Sequence, residues 1–195
     1  MPLSAPDLHG ADIALDPAWL PRVQADALFA DLLAAVPWET HRIRLFGREV
    51  DSPRRSCWIG DPDAAYTYSG TRFVPRPWPA ALPPIRARLA RELGVDFNSV
   101  LANLYRDGRD YMGWHSDAEA ELGPRPVIAS LSLGAVRRFV LKSRIDPATK
   151  LAIALLHGSL LVMRGQTQRE YRHALPKSAR PLLPRINLTF RRIVR

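Results

Sequence analysis

From residue 99 onward the chain is a succession of short segments that alternate apolar and polar residues, with turn residues between them and no helical periodicity. No other feature constrains the fold as strongly. Residues 99–105 (Ser-Val-Leu-Ala-Asn-Leu-Tyr) alternate like a half-buried strand, Asp107-Gly108 marks a turn, and residues 111–115 read as a strand at the edge of a loop. Residues 127–133, 138–142, 151–156, 159–163 and 186–193 repeat the pattern, and His157-Gly158 closes a tight connection. Short strands at this spacing predict a sandwich or barrel. The N-terminal half has a different texture. Leu28, Leu32 and Leu33 place apolar residues on one face of a helix over 24–35, which Pro37 stops. A second helix is expected over 82–93, with Pro83-Pro84 at its start and Gly94 after it. Between them, residues 40–73 read as short strands and loops with Phe46-Gly47 at a hairpin tip, and residues 1–24 read as an irregular leader. The expected class is therefore α+β, mainly β.

A chain of 195 residues suits one domain with a substantial core. Its net charge of +9 attracts polyanions, and the excess is concentrated toward the end: residues 164–195 hold nine Lys/Arg and one acid, Glu170. Cys57 is the single cysteine, which excludes an intrachain disulfide and a thiolate cluster. Residues 151–163 are the most apolar stretch, yet His157-Gly158 interrupts them and they are too short to span a bilayer. With acids at Asp7, Asp12 and Asp16 and no signal-peptide core, the expectation is a soluble cytoplasmic protein (nuclear in a eukaryote), monomeric and without a membrane partner.

Two constellations carry chemistry. In His115-Ser116-Asp117, two metal-capable side chains two residues apart share one face of a strand. One further histidine would complete the two-histidine, one-carboxylate set that leaves positions open on Fe(II). Of the five histidines, His9 lies in the leader, His41 in an arginine-rich strand and His157 in a turn, which leaves His173 after the strand-like Glu170-Tyr171-Arg172. The second constellation is residues 185–191, where Arg185, Asn187, Thr189 and Arg191 share one face and Ile186, Leu188 and Phe190 the other. Inward arginines in a barrel need anions, and a dicarboxylate supplies two. A solvent-facing edge strand would show the same alternation.

These residues resemble the AlkB family of Fe(II)- and 2-oxoglutarate-dependent dealkylating dioxygenases, in particular its DNA-repair branch. The likeness runs from about residue 44 to 192. It includes Pro53-Arg54, Tyr66-Thr67-Tyr68-Ser69-Gly70, Asn103-Leu104-Tyr105-Arg106-Asp107-Gly108, Gly113-Trp114-His115-Ser116-Asp117, His157-Gly158-Ser159-Leu160-Leu161-Val162-Met163 and His173-Ala174-Leu175-Pro176. The resemblance implies a double-stranded β-helix (jelly-roll) core over 99–195, with a substrate lid and supporting helices over 25–98. It implies His115, Asp117 and His173 as iron ligands. Arg185 would meet the distal carboxylate of 2-oxoglutarate beside Tyr105, while Asn103, Asn187 and Arg191 line the rest of the cosubstrate. The implied reaction uses O2 to hydroxylate a methyl group on a base nitrogen, after which formaldehyde leaves.

The same resemblance implies a substrate pocket. Tyr68 would stack on a flipped base and Glu119 would contact its exocyclic amine, a pairing suited to cationic N1-methyladenine and N3-methylcytosine. Phe46 would wedge into a duplex, with Arg48 and its neighbours Arg42 and Arg44 on phosphates. Ser116 and Ala118 depart from the charged residues usual beside the metal aspartate, so RNA or protein substrates stay open, and a small metabolite is the further alternative for the same core. A non-catalytic nucleic-acid-binding module is the remaining alternative; it would lack a metal ligand or an inward arginine, and none is missing.

Overall fold

The computed structural model describes residues 8–45, 48–68 and 71–194; at 43–45, 48, 66–68 and 71–73 the description is of the backbone alone. Among these residues the strands form two packed antiparallel sheets and two small hairpins. The major sheet has the order β1-β12-β9-β14-β7-β4, and the minor sheet β11-β10-β13-β8. In the major sheet these are β1 (Asp12–Asp16), β12 (Leu160–Arg164), β9 (Ile128–Gly134), β14 (Arg185–Arg191), β7 (Ser99–Tyr105) and β4 (Arg55–Gly60). The minor sheet uses β11 (Lys150–Leu155), β10 (Arg137–Ser143), β13 (Tyr171–Leu175) and β8 (Met112–His115). The hairpins are β2 (Arg42–Leu45) with β3 (Arg48–Asp51), and β5 (Tyr66–Tyr68) with β6 (Thr71–Phe73). This is a jelly-roll arrangement, as the sequence texture and the resemblance predict.

The strand alternation has two destinations. Val100, Ala102 and Leu104 of β7 and Ile186, Leu188 and Phe190 of β14 face a layer of helices, where they pack with Leu28, Leu32 and Leu89. A second apolar cluster fills part of the space between the sheets, with Phe139, Leu141, Ile153, Leu155, Leu161 and Met163. The polar residues of β7 and β14 also point between the sheets, so that gap has an oily end and a polar end. This division positions the site.

Helix α1 (Arg22–Ala35) begins two residues earlier than expected, directly after Pro21, and buries Ala25, Leu28 and Leu32. Leu33, expected on the same face, is 41% exposed because the packed stripe is narrower than the run of leucines. Helix α2 (Pro83–Leu93) has Pro at its first positions and ends on Gly94 at φ +67°, as its punctuation predicts.

Two expectations need correction. Residues 12–16, assigned to an irregular leader, form β1 and pair in register with Leu160–Arg164. Ile13 is 2% exposed there, and a five-residue strand whose partner lies about 150 residues away leaves no local periodicity to read. Nor is the barrel confined to 99–195. Strand β4, inside the segment assigned to the lid and helices, pairs along β7 from Arg55↔Leu104 to Gly60↔Ser99 and closes the edge of the major sheet. The expected hairpin tip Phe46-Gly47 lies outside the described residues.

Candidate metal and cosubstrate site

Strands β8 and β13 pair antiparallel with His115 opposite His173, and the register shifts between His173 and Leu175. Antiparallel pairing therefore brings together two side chains that are 58 residues apart. Their Nε2 atoms are 3.1 Å apart. Asp117 follows on the loop after β8, and one donor atom from each of His115, Asp117 and His173 lies within 4.8 Å of the others. His115 Nδ1 is 2.8 Å from the Gly113 carbonyl, so the N–H sits on Nδ1 and the Nε2 lone pair faces His173 and Asp117. Phe139 packs against the His173 ring at 5.2 Å and fixes its tilt.

The electrostatics prepare this trio to accept a cation. Burial pushes the His115 imidazole below its ordinary pKa, the nearby Asp117 opposing. Burial, then the neighbouring His115, brings His173 down to about 3. Both rings are thus neutral at physiological pH and present lone pairs. Burial acts to raise the Asp117 carboxyl, but the Arg191 charge beside it outweighs burial and holds the group ionised. Arg191 Nη2 donates to Asp117 Oδ1 at 2.6 Å, and the Asp117 N–H donates to Gln168 Oε1 at 2.9 Å. Two neutral imidazoles and one oriented carboxylate match the donor set of Fe(II) oxygenases, with soft thiolate ligands absent from it.

The other end of the polar gap is cationic. Arg185, 1% exposed, donates from Nη2 to Ser132 Oγ (2.9 Å) and Asn187 Oδ1 (2.6 Å). Among the described residues, its Nε and Nη1 are buried without a hydrogen-bond partner. Burial lowers this guanidinium to about 10, and Arg137 adds to the fall while Tyr105 opposes it. Tyr105 lies between the two cations, with ring centroid 5.2 Å from the Arg185 guanidinium and 5.6 Å from that of Arg137. A buried cation with two unused donors is costly unless an anion meets it. The carboxylate of 2-oxoglutarate has the charge and the paired acceptors to do so, and the residues present fit this cosubstrate. Asn103, Asn187, Thr189 and Arg191 line the cavity between the two ends, so the inward polar face expected for residues 185–191 is observed.

The expected substrate residues are placed less completely. Glu119 is half-buried, two residues beyond Asp117 and just before the 3-10 turn Ala120–Leu122, but it does not line the cavity. Tyr68 ends β5 opposite Thr71, and Arg48 begins β3 opposite Leu45; their side chains lie outside the described residues, as does Phe46.

Three contributors went unrecognised in the sequence. Arg54, buried, donates from Nε to Asn103 Oδ1 at 2.7 Å. Arg137 grips the carbonyls of Asp107, Asp110 and Pro176. Gln168, 3% exposed, holds the Asp117 backbone. A buried charge in an irregular segment has no periodicity to announce it; the Pro53-Arg54 match was the one available signal.

Comparison with known proteins decides the family. Residues 12–191 match the 2OG-Fe(II) oxygenase superfamily. The chain is 37% identical over 183 residues to the mouse DNA oxidative demethylase ALKBH2, covering 89% of this chain and 77% of that one. It is 39% identical over 183 residues to human ALKBH2 (89% and 70% covered), and 37% over 190 residues to the bovine alpha-ketoglutarate-dependent dioxygenase alkB homolog 3 (93% and 66%). The chain belongs to the AlkB family of 2OG-Fe(II) oxygenases. It is an Fe(II)- and 2-oxoglutarate-dependent dioxygenase, with Fe(II), 2-oxoglutarate and O2 as its cofactor and cosubstrates. The fold agrees: the solved structure of OsALKBH1 superposes with TM-score 0.68 at 14% identity, covering 98% of this chain and 100% of that one. A Pseudomonas putida prolyl-4-hydroxylase gives 0.60 at 20% identity, with 95% and 94% covered. No helix among the described residues is long and apolar enough to cross a membrane.

Proposed function

We propose that this AlkB-family member removes N-linked methyl groups from nucleic-acid bases, N1-methyladenine and N3-methylcytosine in DNA above all. The observation that carries the reading is the polar gap itself. A neutral His115/His173 pair and ionised Asp117 stand at one end, and Arg185 with two unused donors at the other. The names of the mouse and human relatives, both DNA oxidative demethylases, point the chemistry at DNA, and the +9 charge suits a polyanion.

His115, Asp117 and His173 hold the iron. Arg185 and Tyr105 hold the distal carboxylate of 2-oxoglutarate, while Asn103, Asn187 and Arg191 orient the remainder. When bound, the iron and its cosubstrates supply the oxidation that turns an N-methyl group into a hemiaminal, which then releases formaldehyde. Arg191 keeps the Asp117 carboxylate ionised and aimed, and Gln168 fixes the backbone that carries it. The Phe139 and Met163 side of the gap excludes water. A base inside a duplex cannot reach these residues, so it must be everted or supplied on a single strand. Tyr68 stacks on it, Glu119 favours its positive charge, Phe46 wedges the vacated stack and Arg48 holds phosphate. As a one-domain enzyme working along DNA it acts as a monomer, in the cytoplasm or, in a eukaryote, in the nucleus.

The test is an oligonucleotide with one N1-methyladenine, incubated with iron-loaded protein, 2-oxoglutarate and air and read by mass spectrometry. Loss of one methyl group, abolished in His115→Ala and Arg185→Ala, is the expected result. An intact base alongside steady succinate release would keep the oxygenase and reject the base substrate, moving the search to RNA, protein or metabolites.

A further inference from the structure

Outside the polar gap, the minor sheet carries a second assembly that the proposed mechanism does not use. Strand alternation sends His115 inward and Trp114 outward, leaving the indole 49% exposed on the edge strand β8. The ring is one wall of a depression of about 390 Å³. Lys142 and Ser143 at the end of β10, Arg144 and Pro147 in the following loop, and Arg172 of β13 complete it. Pockets of about 300–1,000 Å³ are the size that takes small ligand groups.

Several arginines of this protein are paired with acids, and among the described residues the cations of this depression are not. Arg86, Arg106, Arg109 and Arg164 each lie against an aspartate. Lys142, Arg144 and Arg172 make no salt bridge among the described residues. Lys142 and Arg172 are moreover direct cross-strand partners. Like charges directly opposite destabilise a sheet, so this pairing calls for an anion between or above the two groups. Arg144 ties the depression to the site, donating from Nη2 to Ser116 Oγ at 2.6 Å, between the two residues His115 and Asp117.

An exposed indole beside closely spaced, unneutralised cations is the chemistry of a single-strand nucleic-acid subsite, where a base stacks on the ring and phosphates meet the charges. We propose that this depression binds an unpaired nucleotide of the substrate strand. Trp114 stacks on a base outside the catalytic cavity, and Lys142 and Arg172 share its phosphate. The inference rests on the nucleic-acid reading of the catalytic site and adds a strand preference to it. Stacking requires an open π face, which a paired base inside a duplex does not offer. A phosphopeptide would use the cations but leave the indole face without a flat partner.

The test uses the full chain and an unmodified, fluorescently labelled single-stranded oligothymidine of twelve nucleotides, so binding is read without catalysis. Trp114→Ala is expected to weaken binding by roughly 10- to 100-fold, with Trp114→Phe retaining most of the affinity. Lys142→Ala and Arg172→Ala are each expected to flatten the slope of log affinity against log salt by about 0.7. In parallel, Trp114→Ala should demethylate an N1-methyladenine mononucleotide at the parental rate and lose efficiency on a twelve-nucleotide strand. Unchanged oligothymidine affinity in Trp114→Ala overturns the subsite, as does an equal loss in Trp114→Phe, since a phenyl ring still stacks. The two readings fail separately. Trp114-dependent binding without methyl removal by the parent protein rejects the demethylase alone, and methyl removal with Trp114-independent binding rejects the subsite alone.

Discussion

Replacing Arg185 by methionine separates cosubstrate binding from stability, because the structure assigns this residue opposite effects on the two. Its guanidinium is held at about 10 rather than 12.5 by burial, a depression that corresponds to roughly 3 kcal/mol against the charged form. The sign follows from the direction. A base whose folded pKa is lowered destabilises the folded state at every pH below that folded value, so the full penalty operates at neutral pH. Methionine removes it and leaves the chain length nearly unchanged, at the loss of the bonds to Ser132 and Asn187, which as bonds from a charged group contribute about 1.5 kcal/mol each at the lower limit. The two effects nearly cancel, so the ligand-free variant should be about as stable as the parent. Cosubstrate binding should collapse. Nε and Nη1 are the two unused donors, and a charge-assisted bond to a carboxylate contributes about 1.5–3 kcal/mol. Their loss should weaken 2-oxoglutarate by roughly 100- to 10,000-fold. Urea unfolding gives the stability, and thermal unfolding with manganese(II) as a redox-silent metal gives the ligand response. At a concentration about 100 times its dissociation constant for the parent, 2-oxoglutarate should stabilise the parent by about 2.7 kcal/mol and the variant by at most about 0.4 kcal/mol. A variant that loses several kcal/mol yet keeps the 2-oxoglutarate response would refute the reasoning, since Arg185 would then be a structural cation.

Three further outcomes follow from the same geometry. The metal-free protein should lose stability as pH falls below about 6.5. His173 stays neutral down to about 3 and His115 is also lowered, so the unfolded chain takes up protons first. The slope should reach at most about 1.4 kcal/mol per pH unit for each histidine, and urea midpoints flat from pH 7 to 5 would contradict this. Gln168→Leu leaves the Asp117 N–H without its acceptor and should weaken metal binding about 10- to 100-fold by titration, with Gln168→Glu restoring most of it; equal affinity in all three proteins would remove Gln168 from the site. Cys57, buried with its thiol pushed up to about 11, should ignore a disulfide reagent at pH 8 until denaturant is added, and rapid reaction of the native protein would be the contrary result.

The readable parts of this chain are those in which neighbours along the sequence act together. Helix α2 was legible from Pro83-Pro84 and Gly94 because caps are local. The inward polar row Asn187, Thr189 and Arg191 was legible because strand geometry alternates faces whatever lies around it. Strand β1 was not, since its pairing with β12 spans most of the chain. The burial of Leu33 was misjudged for a related reason: a helix presents its leucines to whichever surface the fold supplies, and here the sheet covers only one side.

By itself, the sequence determined the residue types and the faces they share: an HxD pair, arginines and an asparagine on one side of a strand, short strands where helices would not form. Tertiary structure alone decided distance. It set His173, already singled out along the sequence, against His115 by pairing β13 with β8, which brings the two Nε2 atoms to 3.1 Å. It also left Arg185 Nε and Nη1 buried and unbonded, and put Trp114 beside three uncompensated cations. Periodicity is a property of adjacent residues, whereas charge burial and metal geometry depend on the path by which distant strands are folded against one another.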